Sequence, residues 1–224
     1  MQNNEELEKI INYYFNDKTL LKEAFTHPSY ANEHKIDKYF TNQRLEFLGD
    51  AVLELCSSDF LYRYYNKEPE GNLTKRRSKL VCEESLSQIA RDLKLDNFLL
   101  IGNGVDRENI KNNNSVMCDT LEALIGAVYI DSNFDIANKF VNNFILTSDN
   151  LNRIINDYKS IIQEKANKEK VFLSYELVKE YGPDHDKTFV VSIHYGSSIK
   201  CEGKGKSKKE AEQNAARLAL NIIS

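Results

Sequence analysis

At 224 residues, with 41% hydrophobic and 10% aromatic side chains, the chain can bury one or two ordinary globular cores. It has no apolar run of about 18 residues, which excludes a membrane-spanning helix. The opening MQNNEELEKI lacks the basic start and apolar stretch of a secretory signal, so the protein is expected to stay in the cytoplasm. The net charge of −4 is unevenly spread: residues 155–224 carry 12 basic and 10 acidic side chains, against 18 and 24 before them. An acidic N-terminal part suits metal gathering, and any contact with a polyanion must come from local basic clusters.

In chain order, residues 4–15 read as a helix with Leu7, Ile10, Ile11 and Tyr14 inward. A second helix starts near Lys18 and stops at Thr26-His27-Pro28, where proline restricts its predecessor. His27 reads as a helix-end residue with a structural hydrogen bond. Residues 31–40 are polar and read as a loop. The next stretch, QRLEFLGDAVLEL from Gln43 to Leu55, places Leu45, Leu48, Val52 and Leu55 at helical spacing. Glu46 and Asp50, four residues apart, share a face of that helix, where like charges repel unless a cation joins them. Gly49 inside the helix costs roughly 1 kcal/mol against Ala and marks close backbone approach.

Pro69 and Gly71 then break the chain, and Asn72 or Thr74 can cap a helix that opens on Lys75, Arg76, Arg77 and Lys79. A basic cluster at a helix start favours phosphate. Leu80, Leu86, Ile89 and Leu93 read as core, and IGNGVDRENIKNNN as a loop. Its GxG string follows no strand, which excludes a dinucleotide fold. DTLEALIGAVY is a helix with Leu121, Leu124, Ile125 and Val128 as its apolar face. It carries a second acidic pair, Asp119 and Glu122. Two helices with paired carboxylates can face one another across one site, and four hard oxygen ligands suit Mg2+. Further helices are expected around Phe134–Phe144 and Asp149–Ile155. Cys56, Cys82 and Cys118 read as buried free thiols. With Cys201 they form no zinc or disulfide pattern, and His27, His34, His185 and His194 have no ligand spacing.

Beyond Asn156 the pattern changes. Tyr158–Lys168 is helical, LSYELVKEYG, TFVVSIHYG and SIKCEGKG are strands, and SKKEAEQNAARLALNII is a helix. Ser207 and Glu210 form a capping box there, and Ala211, Ala215, Leu218, Ala219 and Ile222 its apolar face. The order α-β-β-β-α makes a compact α+β domain.

RLEFLGDAVLEL resembles the signature helix of the ribonuclease III family, and DTLEALIGA and FTHPSY resemble further segments of its nuclease domain. GPDHDKTF and GKGKSKKEAEQ resemble a double-stranded-RNA-binding domain. The resemblance covers nearly the whole chain. It implies an all-α nuclease domain over 1–152, a linker over 153–157 and an α+β RNA-binding domain over 158–224. It also implies an endoribonuclease that hydrolyses double-stranded RNA with Mg2+, for which Mn2+ can substitute, leaving 5′-phosphate and 3′-hydroxyl ends with a short 3′ overhang. Processing of ribosomal, messenger and small RNAs fits that activity. Glu46, Asp50, Asp119 and Glu122 would hold metal, with Asp50 and Glu122 catalytic. Glu70 would be an accessory acid or an ordinary loop acid. Gln43 stands where many relatives have Glu, and keeps a carbonyl without the charge. Gln163, Glu164, His185, Lys206, Ser207, Lys208 and Lys209 would meet RNA, whose A-form duplex is read by shape, 2′-hydroxyls and phosphates. The family's dimer contact is the signature helix, so a homodimer is implied, with Phe47 and Leu48 either at that contact or in the core. A non-cleaving duplex-RNA-binding protein is the alternative of another class, and the intact acids argue against it.

Overall fold

The computed structural model describes residues 4–147, 150–151, 158–183, 187–196 and 199–223. It divides into two compact units, Met1–Leu151 and Asn152–Ser224. The expected linker over 153–157 and His185 lie outside the described residues, as does the expected helix from Asp149 to Ile155 except for Asn150 and Leu151, which are helical.

The first unit is helical: α1 Asn4–Ile11, α2 Lys18–Ala24, α3 Pro28–Glu33, α4 Asn42–Tyr64, α5 Glu70–Leu80, α6 Glu83–Asp92, α7 Arg107–Asn112, α8 Asn114–Asp131 and α9 Phe134–Phe144. No described helix is long and apolar enough to cross a membrane. α8 is the axis of this unit. Between Glu122 and Asp131 it has no charged residue, and Leu121, Leu124, Ile125 and Val128 are fully buried with Ala123 and Ala127. A helix apolar on all sides must be enclosed, and α2, α4, α6 and α9 pack around it. Its C-terminal Asp131 is tied to the start of the chain, accepting hydrogen bonds from Tyr13 Oη (2.6 Å), the Asn16 amide (2.9 Å) and the Asp17 amide (2.7 Å).

Three local expectations shift. α1 ends at Ile11, leaving Tyr14 exposed, while Phe15 is buried. There the Phe15 amide donates to the buried Glu8 (2.7 Å), whose carboxylate also pairs with Lys18. The polar stretch 31–40 is not all loop, since α3 runs to Glu33 and a 3-10 turn covers Lys38–Phe40. His27 caps α3, accepting at Nδ1 from the Ser29 amide (3.1 Å). Part of the Gly- and Asn-rich segment after Leu100 folds as α7.

The second unit runs α10 Tyr158–Glu169, β1 Leu173–Tyr181, β2 Thr188–Tyr195, β3 Ile199–Gly205 and α11 Lys208–Ile223, with an antiparallel sheet in the order β1-β2-β3. Period-2 alternation lines up two rows across the sheet, Tyr175–Ile193–Cys201 and Leu173–Tyr195–Ile199. Both rows pack on Ile162 and Ala166 of α10 and on Ala215, Ala216 and Ala219 of α11. The buried face of α11 is therefore small. Leu218 and Ile222, expected inward, are turned to solvent. The reason is proximity: a Cβ on Gly203 would lie 2.1 Å from the Ala215 amide nitrogen, so α11 lies on β3 with room only for alanine.

Candidate active site

α4 and α8 meet backbone to backbone. A Cβ on Gly49 would come within 1.8 Å of the Glu122 carbonyl oxygen, and one on Gly126 within 2.2 Å of the Leu45 carbonyl oxygen. Gly49 opposite Gly126 is what lets the helix axes approach so closely. The buried side of α4 is Leu45, Gly49, Val52, Leu53, Cys56 and Leu61. Leu48 is half-buried and Leu55 is 56% exposed, so the face is rotated from the one spacing suggested. Phe47 is 80% exposed, which excludes a core role for it.

The crossing sets the acidic pair of α4 beside that of α8. Glu46 is pushed above its usual range, first by desolvation and then by the charges of Asp119 and Asp50. Asp119 is raised by desolvation and by Glu83 at the start of α6. Glu122 is raised to about 7, chiefly by desolvation, with Asp50, Asp119 and Glu46 adding to it. Glu46, Asp119 and Glu122 are thus half-sunk in protein with the exposed Asp50 beside them, and charge on one helix acts on carboxylates of the other. Described ion pairs engage other acids, such as Glu8, Glu54, Asp59 and Glu68. Hard, crowded, cation-free oxygens fit a small divalent ion.

The raised carboxylates have a signed consequence. A carboxyl whose folded pKa exceeds its unfolded value binds more protons when folded, so stability falls as pH rises between the two. Metal-free protein is expected to lose thermal stability from about pH 4.5 to about pH 7, the interval between the ordinary and the folded value for Glu122. Mg2+ should raise Tm above that interval and do little below it. Calorimetry with Mg2+ and with EDTA reads this directly, and a Mg2+ effect independent of pH would contradict it.

The spacing of the acids was legible in the sequence, and a neighbour of theirs was not. Cys118 Sγ lies 3.5 Å from Glu122 Oε1, and donor atoms of Cys118, Asp119 and Glu122 all fall within 4.8 Å of one another. Burial and the adjacent carboxylates push that thiol well up. The signal was the i, i+4 spacing of Cys118 and Glu122, masked by an apolar context. Glu83 had no signal, because only the tertiary fold brings α6 to Asp119. Cys56 and Cys118 are buried as expected, whereas Cys82 is exposed at the start of α6.

The accessory positions sit apart in character. Gln43 is exposed on the first turn of α4. Glu70 is the first residue of α5, not a residue before its cap: Pro69 occupies the cap and neither Asn72 nor Thr74 does. Its Oε1 accepts from Thr74 Oγ1 (2.8 Å), and it lines a cleft of about 380 Å³ with Leu55, Ser58, Tyr62 and Arg77. The basic cluster is consequently mid-helix. Arg76 makes a bidentate pair with Glu68 (2.7 and 2.9 Å) and lies over the Tyr65 ring, and Arg77 pairs with Glu54 (3.0 Å). Lys75–Lys79 is therefore not a helix start open to phosphate, and two of its four cations brace α5 against α4 and the chain just after it.

In the second unit, Lys206, Ser207, Lys208 and Lys209 are exposed around the start of α11, and Gln163 and Glu164 are exposed on α10. Ser207 Oγ accepts from the Glu210 amide (3.1 Å). The reciprocal bond comes from the Lys206 amide to Glu210 Oε2 (2.6 Å), one residue earlier than a capping box places it.

Residues 17–149 match the family model described as Ribonuclease-III-like, and residues 158–223 the double-stranded RNA binding motif. The chain is 47% identical to Ribonuclease 3 of Natranaerobius thermophilus over 98% of its length and 96% of that protein's. The chain belongs to the ribonuclease III family. Ribonuclease 3 of Carboxydothermus hydrogenoformans is 44% identical over 97% of this chain and 94% of its own. The nuclease domain of ribonuclease III from Campylobacter jejuni, 39% identical, superposes with a TM-score of 0.59 over 64% of this chain and 96% of that one. As a ribonuclease III, the chain is an endoribonuclease of double-stranded RNA with a helical nuclease unit and an α+β RNA-binding unit.

Proposed function

We propose that this ribonuclease III cleaves duplex RNA with Mg2+, replaceable by Mn2+, held by Glu46, Asp50, Asp119 and Glu122. What carries the reading is the meeting of the two acidic pairs where Gly49 and Gly126 let α4 and α8 touch. When bound, the ion lowers the pKa of water and offsets charge on the phosphate and its leaving oxygen. The chain supplies the rest. Asp50 and Glu122, one from each helix, hold and orient the attacking group against the phosphorus. The glycine crossing fixes their separation before substrate arrives. No side-chain nucleophile is required: water forms the new bond to phosphorus, the bond to the 3′ oxygen breaks and that oxygen takes up a proton, which leaves a 5′-phosphate and a 3′-hydroxyl. Gln43 and Glu70 are accessory groups at the margin of this chemistry.

Two sites related by a twofold axis would cut both strands and leave a short 3′ overhang. The α4 surface supports a homodimer: Phe47, Leu55 and Tyr62 recur at seven- and eight-residue spacing and are 80, 56 and 72% exposed, an apolar stripe costly to leave in water. Sedimentation equilibrium should read two chains per particle, and one for Phe47→Asp; a dimer unaffected by that change would place the contact elsewhere.

RNA is held by the second unit. Lys206, Lys208 and Lys209 flank a helix N-terminus whose amides favour phosphate, while Gln163 and Glu164 reach a minor groove and His185 the next. Lys208→Ala with Lys209→Ala should reduce the slope of log affinity against log salt by roughly one per lysine. An unchanged slope would remove both from the phosphate contact. The enzyme works in the cytoplasm on structured precursors of ribosomal, messenger and small RNAs. The first test is a gel of long, fully paired RNA with Mg2+ and with EDTA. Short duplex products only with Mg2+ support the reading; a shifted but intact duplex overturns it.

A further inference from the structure

The Cys118 thiol stands among the metal carboxylates and has no part in the mechanism above. It is 7% exposed, so packing holds it in place. One turn of helix stacks it on Glu122, with Sγ 3.5 Å from Oε1. Zinc–sulfur and zinc–oxygen bonds of about 2.3 and 2.1 Å at a tetrahedral angle set their donor atoms about 3.6 Å apart. The pair is already at that separation, and Asp119 offers a third donor within 4.8 Å. Among the described residues no other cysteine groups with two further ligand donors. One sulfur with two carboxylates is a borderline-soft set, which ranks Zn2+ and Cd2+ above the oxygen-seeking Mg2+.

We propose that Cys118, Asp119 and Glu122 form a thiophilic site within the metal centre, through which Zn2+ or Cd2+ displaces Mg2+ and stops cleavage. Binding makes a metal–sulfur bond and releases the thiol proton to solvent, with no electron transferred. Because Asp119 and Glu122 are shared, occupancy by the soft ion withdraws two of the four Mg2+ ligands. The inhibition is therefore competitive with Mg2+ and independent of RNA. Cys118 is thus a specificity-determining residue for the ion, and the inference rests on the four-carboxylate reading.

The test uses the full chain with Cys82→Ser and Cys201→Ser, which leaves Cys118 and the fully buried Cys56. Cd2+ is followed by the ultraviolet sulfur-to-metal charge-transfer band, and Mn2+ by spin resonance. Cd2+ should produce the band and expel bound Mn2+. Adding Cys118→Ser or Cys118→Ala should abolish the band and weaken Cd2+ binding about tenfold or more. The alanine variant guards against a folding defect from a buried hydroxyl, and circular dichroism checks both. A band that survives Cys118→Ala, or no band while Mn2+ still binds, overturns the sulfur site alone. Mn2+ binding undiminished in Glu122→Gln overturns the carboxylate centre beneath it.

Discussion

Glu122→Gln is expected to cut Mg2+-dependent cleavage by about a hundredfold or more while leaving affinity for duplex RNA within a few-fold. Changes one shell out from a metal already cost 10–100-fold, and in the proposed centre this one would remove the charge of a direct ligand. The shape is kept: Gln has the volume of Glu and retains a carbonyl acceptor, so the half-sunk site on α8 need not repack. The double-stranded RNA binding motif, residues 158–223, belongs to the other unit. The same change should make metal-free protein more stable, most visibly above about pH 7, the value at which Glu122 itself ionises. It removes one of four repelling carboxylates and lifts a desolvation cost. Activity down and stability up from one substitution is the signature of a site strained for metal. A merely structural glutamate would lose both. Single-turnover cleavage and calorimetry on the same samples decide it, and undiminished turnover would remove Glu122 from the centre.

The acidic pairs were legible because a helix imposes its period on sequence: i, i+4 on α4 and i, i+3 on α8 each name one face. The α+β unit was legible for the same reason, with period-2 strands between periodic helices. What resisted reading was rotation and reach. α4 has apolar residues on more than one side, so periodicity alone could not tell that Leu53 and Cys56 go in while Leu48 is only half-buried and Leu55 turns outward. The apolar count included a stripe that faces solvent in the single chain. On α11 the larger Leu218 and Ile222 look like core, yet the approach of the helix to Gly203 selects the alanines. α5 was misplaced because Gly71 reads as a breaker; Pro69 at the cap position starts the helix five residues before Lys75. Cys118 reads as a buried thiol from its apolar context, and only the tertiary fold shows that its burial points it at a carboxylate.

Gly49→Ala and Gly71→Ala make the same chemical change in two helices and are expected to move stability in opposite directions. Intrinsic propensity favours both, by roughly 1 kcal/mol in a helix interior and less in the first turn, where Gly71 lies. At Gly71 a new methyl meets nothing within 4 Å, so the gain should appear as a few tenths to about 1 kcal/mol. At Gly49 the methyl would sit 1.8 Å from the Glu122 carbonyl oxygen and 2.6 Å from its carbon. That obstacle is backbone, which cannot rotate away as a side chain would. α4 and α8 must separate, and overpacking of this kind costs about 1–3 kcal/mol or more, which outweighs the propensity gain. The midpoint of thermal unfolding should fall by about 2–4 °C for each kcal/mol lost. The separation also moves Glu46 and Asp50 from Asp119 and Glu122, so Mn2+ affinity should drop in Gly49→Ala and hold in Gly71→Ala. If Gly49→Ala instead stabilises the protein or binds Mn2+ as before, then the helices are not locked at this crossing. The acids would then be brought together by some other contact of α4 with α8.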